Sequence, residues 1–98
     1  MTRPRCLCRI RFCPRARFFS PREVSKDKLE IIELTPAEAE ALRLKDVKGL
    51  DQTAAAAAME ISQSSFQRIL SIAHHKISEA LVYGKAIRLS TRGDDAAT

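Results

Sequence analysis

The sequence lacks the motifs that point to catalysis or to a membrane. It has three glycines and no Gly-rich loop that would cradle a phosphate, and neither His74 nor His75 has an evident nucleophile partner. Glu38 and Glu40 are predicted to lie on different sides of a helix, so they do not form a catalytic pair. No stretch approaches the about 20 apolar residues of a membrane span. We therefore expect neither enzyme activity nor membrane insertion.

Cysteine is scarce, and all three cysteines fall within residues 6–13. Cys6 and Cys8 would be about 7 Å apart on one strand face, which is beyond comfortable disulfide reach. Cys13 would be a third ligand for a metal ion, but the sequence has no second pair of ligands to complete a four-ligand zinc site. The adjacent His74 and His75 would point about 100° apart on a helix, so we expect no metal and no cofactor. An odd number of thiols without a signal peptide favours a reducing cytoplasm. A thiol-sensing or metal-sensing regulator is an alternative.

Acidic residues are absent from the first 22 positions, which hold seven arginines. The formal net charge is +5, but the part from Glu23 onward has ten basic and twelve acidic residues. A basic leader beside a nearly neutral remainder is typical of a protein whose leader attracts phosphates. Residues 1–22 are therefore predicted to form a basic N-terminal arm or strand, although such a segment is also often a solvated tail. Its expected DNA contacts are Arg3, Arg5, Arg9 and Arg11.

Three helices are predicted, over about residues 36–48, 51–59 and 63–82. The first begins with a complete capping box, in which Thr35 is the N-cap, Pro36 the first helical residue and Glu38 the returning carboxylate. Gly49 offers the left-handed residue that ends a helix. Asp51 caps the second helix, in which the alanine run 54–58 has the highest intrinsic helix propensity.

The third predicted helix is amphipathic and starts after a tight turn. Ser62 is its N-cap, and Ile61 can pack against Phe66 one turn into the helix. The predicted buried positions recur every three or four residues. They are Ala37, Ala41 and Leu44 in the first helix, flanked by Leu42 and Val47, and Phe66, Ile69, Leu70, Ala73, Ile77 and Leu81 in the third.

Three short stretches read as strands. Residues 6–12 alternate between apolar and polar side chains until Pro14 interrupts them, and residues 31–34 and 86–89 are short and β-branched. Ser25 is expected to start a brief helical turn. The predicted fold is therefore mainly α with a small β element. A tri-helical helix-turn-helix domain occupies residues 23–90, and residues 91–98 form a disordered tail.

The start of the third helix is the candidate functional site. Burying its apolar stripe turns Gln63, Ser64, Gln67 and Arg68 outward. Glutamine can pair bidentately with adenine and arginine with guanine, whereas Ser65 is better placed for a phosphate. This arrangement is typical of a helix-turn-helix that reads double-stranded DNA in the major groove.

Several motifs also carry a resemblance to a known family. They are Arg3-Pro4-Arg5, Cys13-Pro14, Leu34-Thr35 and the segments 38–44 and 62–70. Over residues 1–90 they resemble the small bacterial and archaeal family of predicted DNA-binding proteins called domain of unknown function 134. The helical half is also similar to the helix-turn-helix of sigma factors. Where members of the family usually have glycine in the turn before the third helix, this chain has Glu60, which must adopt a left-handed conformation if the turn is kept. The resemblance implies a cytoplasmic DNA-binding protein that regulates transcription and has no established enzyme activity.

A different class of function fits the same pattern. The three helices would also serve as a protein-interaction module that docks on the transcription machinery without touching DNA. If the chain does bind DNA, a homodimer is favoured, because one short recognition helix reads few bases.

Overall fold

The computed structural model describes residues 9–90, and this part contains three strands and three helices. Their order is β1 (Phe18–Phe19), β2 (Ile31–Leu34), α1 (Pro36–Leu42), α2 (Gln52–Met59), α3 (Gln63–Tyr83) and β3 (Ala86–Leu89). A 3-10 turn (Lys26–Lys28) precedes β2, as the sequence predicts, and a π-helical turn (Arg43–Val47) continues α1. The mainly α fold with a small β element is thus confirmed.

Each helix begins directly after the residue that the sequence predicts as its N-cap. Thr35 Oγ1 accepts a hydrogen bond from the Glu38 N–H at 3.2 Å, and the Glu38 carboxylate accepts one from the Thr35 N–H at 3.0 Å. The Asp51 carboxylate accepts from the Ala54 N–H at 2.8 Å, and Ser62 Oγ accepts from the third N–H of α3 at 3.1 Å. These caps satisfy backbone donors that have no partner inside a helix, so they place the helix starts.

The first helix differs from the prediction in its second half. The sequence predicts one α-helix to residue 48, but the α-helical part ends at Leu42 and a π-helical turn follows, with the Lys48 N–H donating to the Arg43 carbonyl at 2.9 Å. The wider turn rotates the residues that follow it away from α-helical periodicity. Val47 was predicted to flank the buried face, and this is wrong, since the side chain is exposed.

The three strands form one sheet in the order β1-β3-β2. β2 runs parallel to β3, with Ile32 opposite Ile87 and Leu34 opposite Leu89, and β1 runs antiparallel to β3. A parallel pair needs a long crossover connection, which the three helices supply here. The strands predicted at 31–34 and 86–89 are confirmed, whereas their order and direction come from the fold.

The strand predicted at residues 6–12 is wrong wherever the structure describes it. Residues 9–12 belong to no strand, and the strand of this region is β1 (Phe18–Phe19) instead. Residues 6–8 and the predicted tail, 91–98, lie outside the described residues. The expected alternation is nevertheless present in the burial, since Ile10 and Phe12 are partly buried and Arg9 and Arg11 are exposed.

Two apolar clusters hold the helices together and fix the orientation of α3. One lies among the three helices and the other between the helices and the sheet, where Leu34 and Leu89 meet Ala39 and Ala73. Leu81 was predicted to continue the buried stripe of α3, but it is 82% exposed, because Ala80 takes that buried position. The helical cluster consists of Ala41, Leu44, Ala55, Ala56, Met59, Phe66 and Leu70.

Candidate nucleic-acid interface

The packing of α3 against α2 leaves the polar side chains at the start of α3 exposed. Ala55 and Ala56 are buried and small, so the two helices can approach closely, and Phe66 is completely buried beneath them. The turn between the helices is closed by the Ile61 N–H, which donates to the Ala56 carbonyl at 3.1 Å. Glu60 ends α2 with φ 60° and ψ 43°, the left-handed conformation that the sequence predicts for it.

The predicted contact residues on α3 share one exposed surface. Gln63, Ser64, Gln67 and Arg68 are exposed, and Ser65 is partly buried. The Arg68 side chain has no hydrogen-bond or ion-pair partner among residues 9–90, so its guanidinium is available to an external acceptor. We call these five residues, 63–65, 67 and 68, the α3 surface.

Two residues of α2 that the sequence analysis missed hold the glutamines of this surface. Gln63 Nε2 donates to Thr53 Oγ1 at 2.8 Å, and Gln52 Nε2 donates to Gln67 Oε1. Both α2 residues lie in its first turn, directly after the Asp51 cap. Their place beside a predicted cap was visible in the sequence, but their partners on the next helix were not.

The serines at the start of α3 form a compact hydroxyl cluster. Ser62 Oγ donates to Ser65 Oγ at 3.0 Å and lies 3.3 Å from Ser64 Oγ. Because Ser65 is partly buried in this cluster, it is less accessible than Ser64. The Ser65 hydroxyl accepts the hydrogen bond from Ser62, and its contact with a phosphate stays a prediction.

The basic N-terminal segment runs beside the turn that precedes α3. The Arg9 N–H donates to the Met59 carbonyl at 2.7 Å, and its guanidinium pairs with the Glu60 carboxylate at 2.9 Å. Arg11 keeps its side chain exposed. Arg3 and Arg5 lie outside the described residues. Of the other two predicted arm contacts, Arg9 contacts this turn, whereas the Arg11 N–H donates to Glu40 of α1.

A buried carboxylate that the sequence analysis did not recognise anchors this segment to α1. Glu40 is 1% exposed, and its two oxygens accept from Arg43 Nε and Nη2, both at 2.9 Å. The Arg11 N–H donates to the same carboxylate at 3.1 Å. Burial alone would raise the pKa of Glu40, but the hydrogen bonds from Arg43 and from the backbone of Arg11 and Phe12 lower it below its ordinary value.

Three side chains of α3 contact acidic residues, and two of these acidic residues lie on other elements. Lys76 Nζ lies 2.8 Å from Glu38 Oε1 and donates to the Glu33 carbonyl at 2.8 Å. His74 Nε2 is hydrogen-bonded to Asp46 at 2.6 Å, and His75 lies 3.7 Å from Glu79. Both histidines are thus exposed, and each contacts one acidic side chain.

The described part of the chain offers no metal centre and no membrane-spanning element. Among residues 9–90 no three histidine, cysteine or acidic side chains are grouped so that they would hold a metal ion. Cys13 is a free, exposed thiol, whereas Cys6 and Cys8 lie outside these residues. None of the helices seen in this range is both long enough and apolar enough to cross a bilayer.

Comparison with known proteins finds several relatives, each named a UPF0251 protein. One from Caldicellulosiruptor bescii is 47% identical over 89 residues, which cover 91% of this chain and 61% of that protein. One from Moorella thermoacetica is 45% identical over 91% of this chain and 60% of its own length. A third, from Dehalococcoides mccartyi, is 44% identical and is covered over 76% of its length.

The chain spans about three fifths of the length of the first two of these relatives. No solved structure matches it. The family model described as Protein of unknown function DUF134 matches residues 1–97, which is nearly the whole sequence. The resemblance seen in the sequence motifs is therefore confirmed, and the chain belongs to the DUF134 family.

Proposed function

We propose that this chain is a sequence-specific DNA-binding protein that regulates transcription, with the start of α3 inserted into the major groove. The observation that carries the proposal is the α3 surface. Its amide, hydroxyl and guanidinium groups are exposed at one end of a helix whose opposite face is buried, and Arg68 has no partner within the described range. A helix of this width fits the major groove of B-DNA, where such groups meet base edges.

The basic arm supports the same proposal. Arg9 is tied to the turn that precedes α3, so the described part of the arm begins beside the proposed groove-facing surface. Arginines of such an arm contact phosphates or an adjacent minor groove. In this proposal the protein acts in the cytoplasm, binds duplex DNA as a homodimer and needs neither catalysis nor a cofactor.

The decisive experiment selects bound duplexes from a random pool and then compares variants on the enriched sequence. Arg68→Ala should weaken binding roughly 5- to 150-fold, because a bidentate arginine–guanine contact is worth about 1–3 kcal/mol. Fluorescence anisotropy at fixed salt measures this loss. Lys26→Ala, which removes an exposed cation from the turn before β2, is the matched control and should bind like the wild type.

Unchanged binding by Arg68→Ala, or the absence of any duplex binding at moderate salt, would overturn the proposal. A second candidate function would then account better for the chain. Leu81, Val82 and Tyr83 form an exposed apolar end of α3, and such a patch is typical of a protein-docking surface. Phe66 offers no such surface, since its side chain is completely buried.

A further inference from the structure

The two glutamines of the α3 surface are held by α2 through opposite ends of their amides. Gln63 uses its nitrogen, which donates to Thr53 Oγ1 at 2.8 Å. Gln67 uses its oxygen, which accepts from Gln52 Nε2. An amide side chain has one oxygen acceptor and two N–H donors, so the two glutamines are left with different groups for a base.

The bases differ in the groups that they show in the major groove. Adenine shows one acceptor and one donor, so a glutamine that reads it must offer both an N–H and its oxygen. Guanine shows two acceptors, N7 and O6. Gln63 keeps its oxygen and one N–H, which is the adenine pattern. Gln67 has its oxygen engaged by Gln52, and the wholly unoccupied part of its amide is the NH₂ group, which matches guanine.

We propose that Gln52 is a positioning residue that sets base specificity: by engaging the oxygen of Gln67, it makes Gln67 select guanine over adenine at one operator position. This inference rests on the proposed function, since it requires that the α3 surface enter the major groove. It assigns a role to a residue of α2 that itself need not touch a base.

The backbone on both sides of this hydrogen bond is fixed. The Asp51 cap holds the first turn of α2, where Gln52 is the first helical residue, and the Ser62 cap holds the first turn of α3. Gln52 is also partly buried, whereas Gln67 is exposed. The caps therefore keep the two amides within hydrogen-bond reach of each other.

Gln52→Glu tests the proposal because a carboxylate only accepts hydrogen bonds. The Gln67 amide must then donate an N–H to residue 52, which frees its oxygen and leaves the adenine pattern. Each variant is used to select duplexes from the same random pool at the same salt concentration, and its affinity is measured for all four bases at the position concerned. Gln67→Ala identifies that position as the one where base preference disappears.

The wild type should prefer guanine at this position, and Gln52→Glu should shift the preference to adenine by roughly tenfold. Gln52→Ala leaves Gln67 free to rotate, so guanine and adenine should then bind about equally. Thr53→Ala is the matched control, because it releases Gln63 and should leave the preference at the Gln67 position unchanged. Added negative charge in Gln52→Glu should weaken binding to all bases alike, which does not alter their ratio.

The outcomes separate this inference from the proposed function. A wild-type preference for adenine, or the same preference in the wild type, Gln52→Glu and Gln52→Ala, overturns the role of Gln52 while DNA binding stands. If the wild type enriches no duplex, the proposed function fails and this inference fails with it. Circular dichroism shows whether Gln52→Glu is folded, and Gln52→Ala carries the test if it is not.

Discussion

Glu60 occupies a backbone conformation that side chains rarely adopt. Among residues 9–90 it is the one non-glycine residue with positive φ. The chain needs a left-handed residue there to end α2 and turn into α3 within three residues. The carboxylate pairs with Arg9, but both side chains are at least half exposed, so the pair adds little stability.

Glu60→Gly should therefore raise the free energy of unfolding by about 1 kcal/mol, since glycine adopts the left-handed conformation without a steric cost. Urea denaturation monitored by circular dichroism measures the change. Glu60→Ala is the control, because it also removes the Arg9 pair but keeps the Cβ atom. A glycine variant no more stable than the alanine variant would contradict this account of the turn.

At the scale of elements, the pattern of residues 9–12 predicts which side chains are buried but not what the backbone pairs with. The alternation in residues 9–12 predicts a half-buried strand, and the structure shows the alternating burial without the strand. The alternation does not say which groups accept the backbone N–H groups. Arg9 donates to the end of α2 and Arg11 to the buried Glu40, so the segment lies against helices and joins no sheet.

The arm also yields a prediction about binding to DNA. Replacing Arg3 and Arg5 by alanine should lower the slope of log affinity against log salt concentration by about 2, because each lost phosphate contact contributes about 0.9. Anisotropy titrations at several salt concentrations measure the slope. Lys26→Ala with Lys28→Ala removes the same charge from the turn before β2 and should leave the slope unchanged. Equal slopes for the two double variants would exclude the arm from the interface.

At the scale of the whole molecule, paired carboxylates make stability depend on pH. The Arg88 and Ser90 side chains lower the pKa of Glu33, and Lys85 lowers that of Glu79. In Glu40 burial is the largest single effect and raises the pKa, but the hydrogen bonds from Arg43 and from the backbone of Arg11 and Phe12, with the charge of Arg43, together lower it below its ordinary value. These groups bind protons more tightly in the unfolded chain, so their stabilising effect is present at neutral pH and is lost on acidification.

The free energy of unfolding should therefore fall as the pH drops below the ordinary glutamate pKa of 4.5. Glu40→Gln removes the charged partner of Arg43, so this variant should be less stable than the wild type at pH 7 by about 1–3 kcal/mol. Because glutamine does not titrate, the variant should also lose less stability in acid. Denaturant titrations at several pH values measure both effects. Glu23→Gln, at an exposed position, should retain the wild-type dependence, and an equally steep loss in Glu40→Gln would refute the assignment.

The sequence by itself determined where the helices begin and which residues of α3 are exposed at its start. Caps, helical periodicity and tight turns depend on neighbours within about four residues, so they can be read along the chain. The strand order, the exposure of Leu81 and the anchoring of the arm were decided by the tertiary structure. The partners of Gln67 and of Arg9 are 15 and 51 residues away, and only the packing of the helices brings them together.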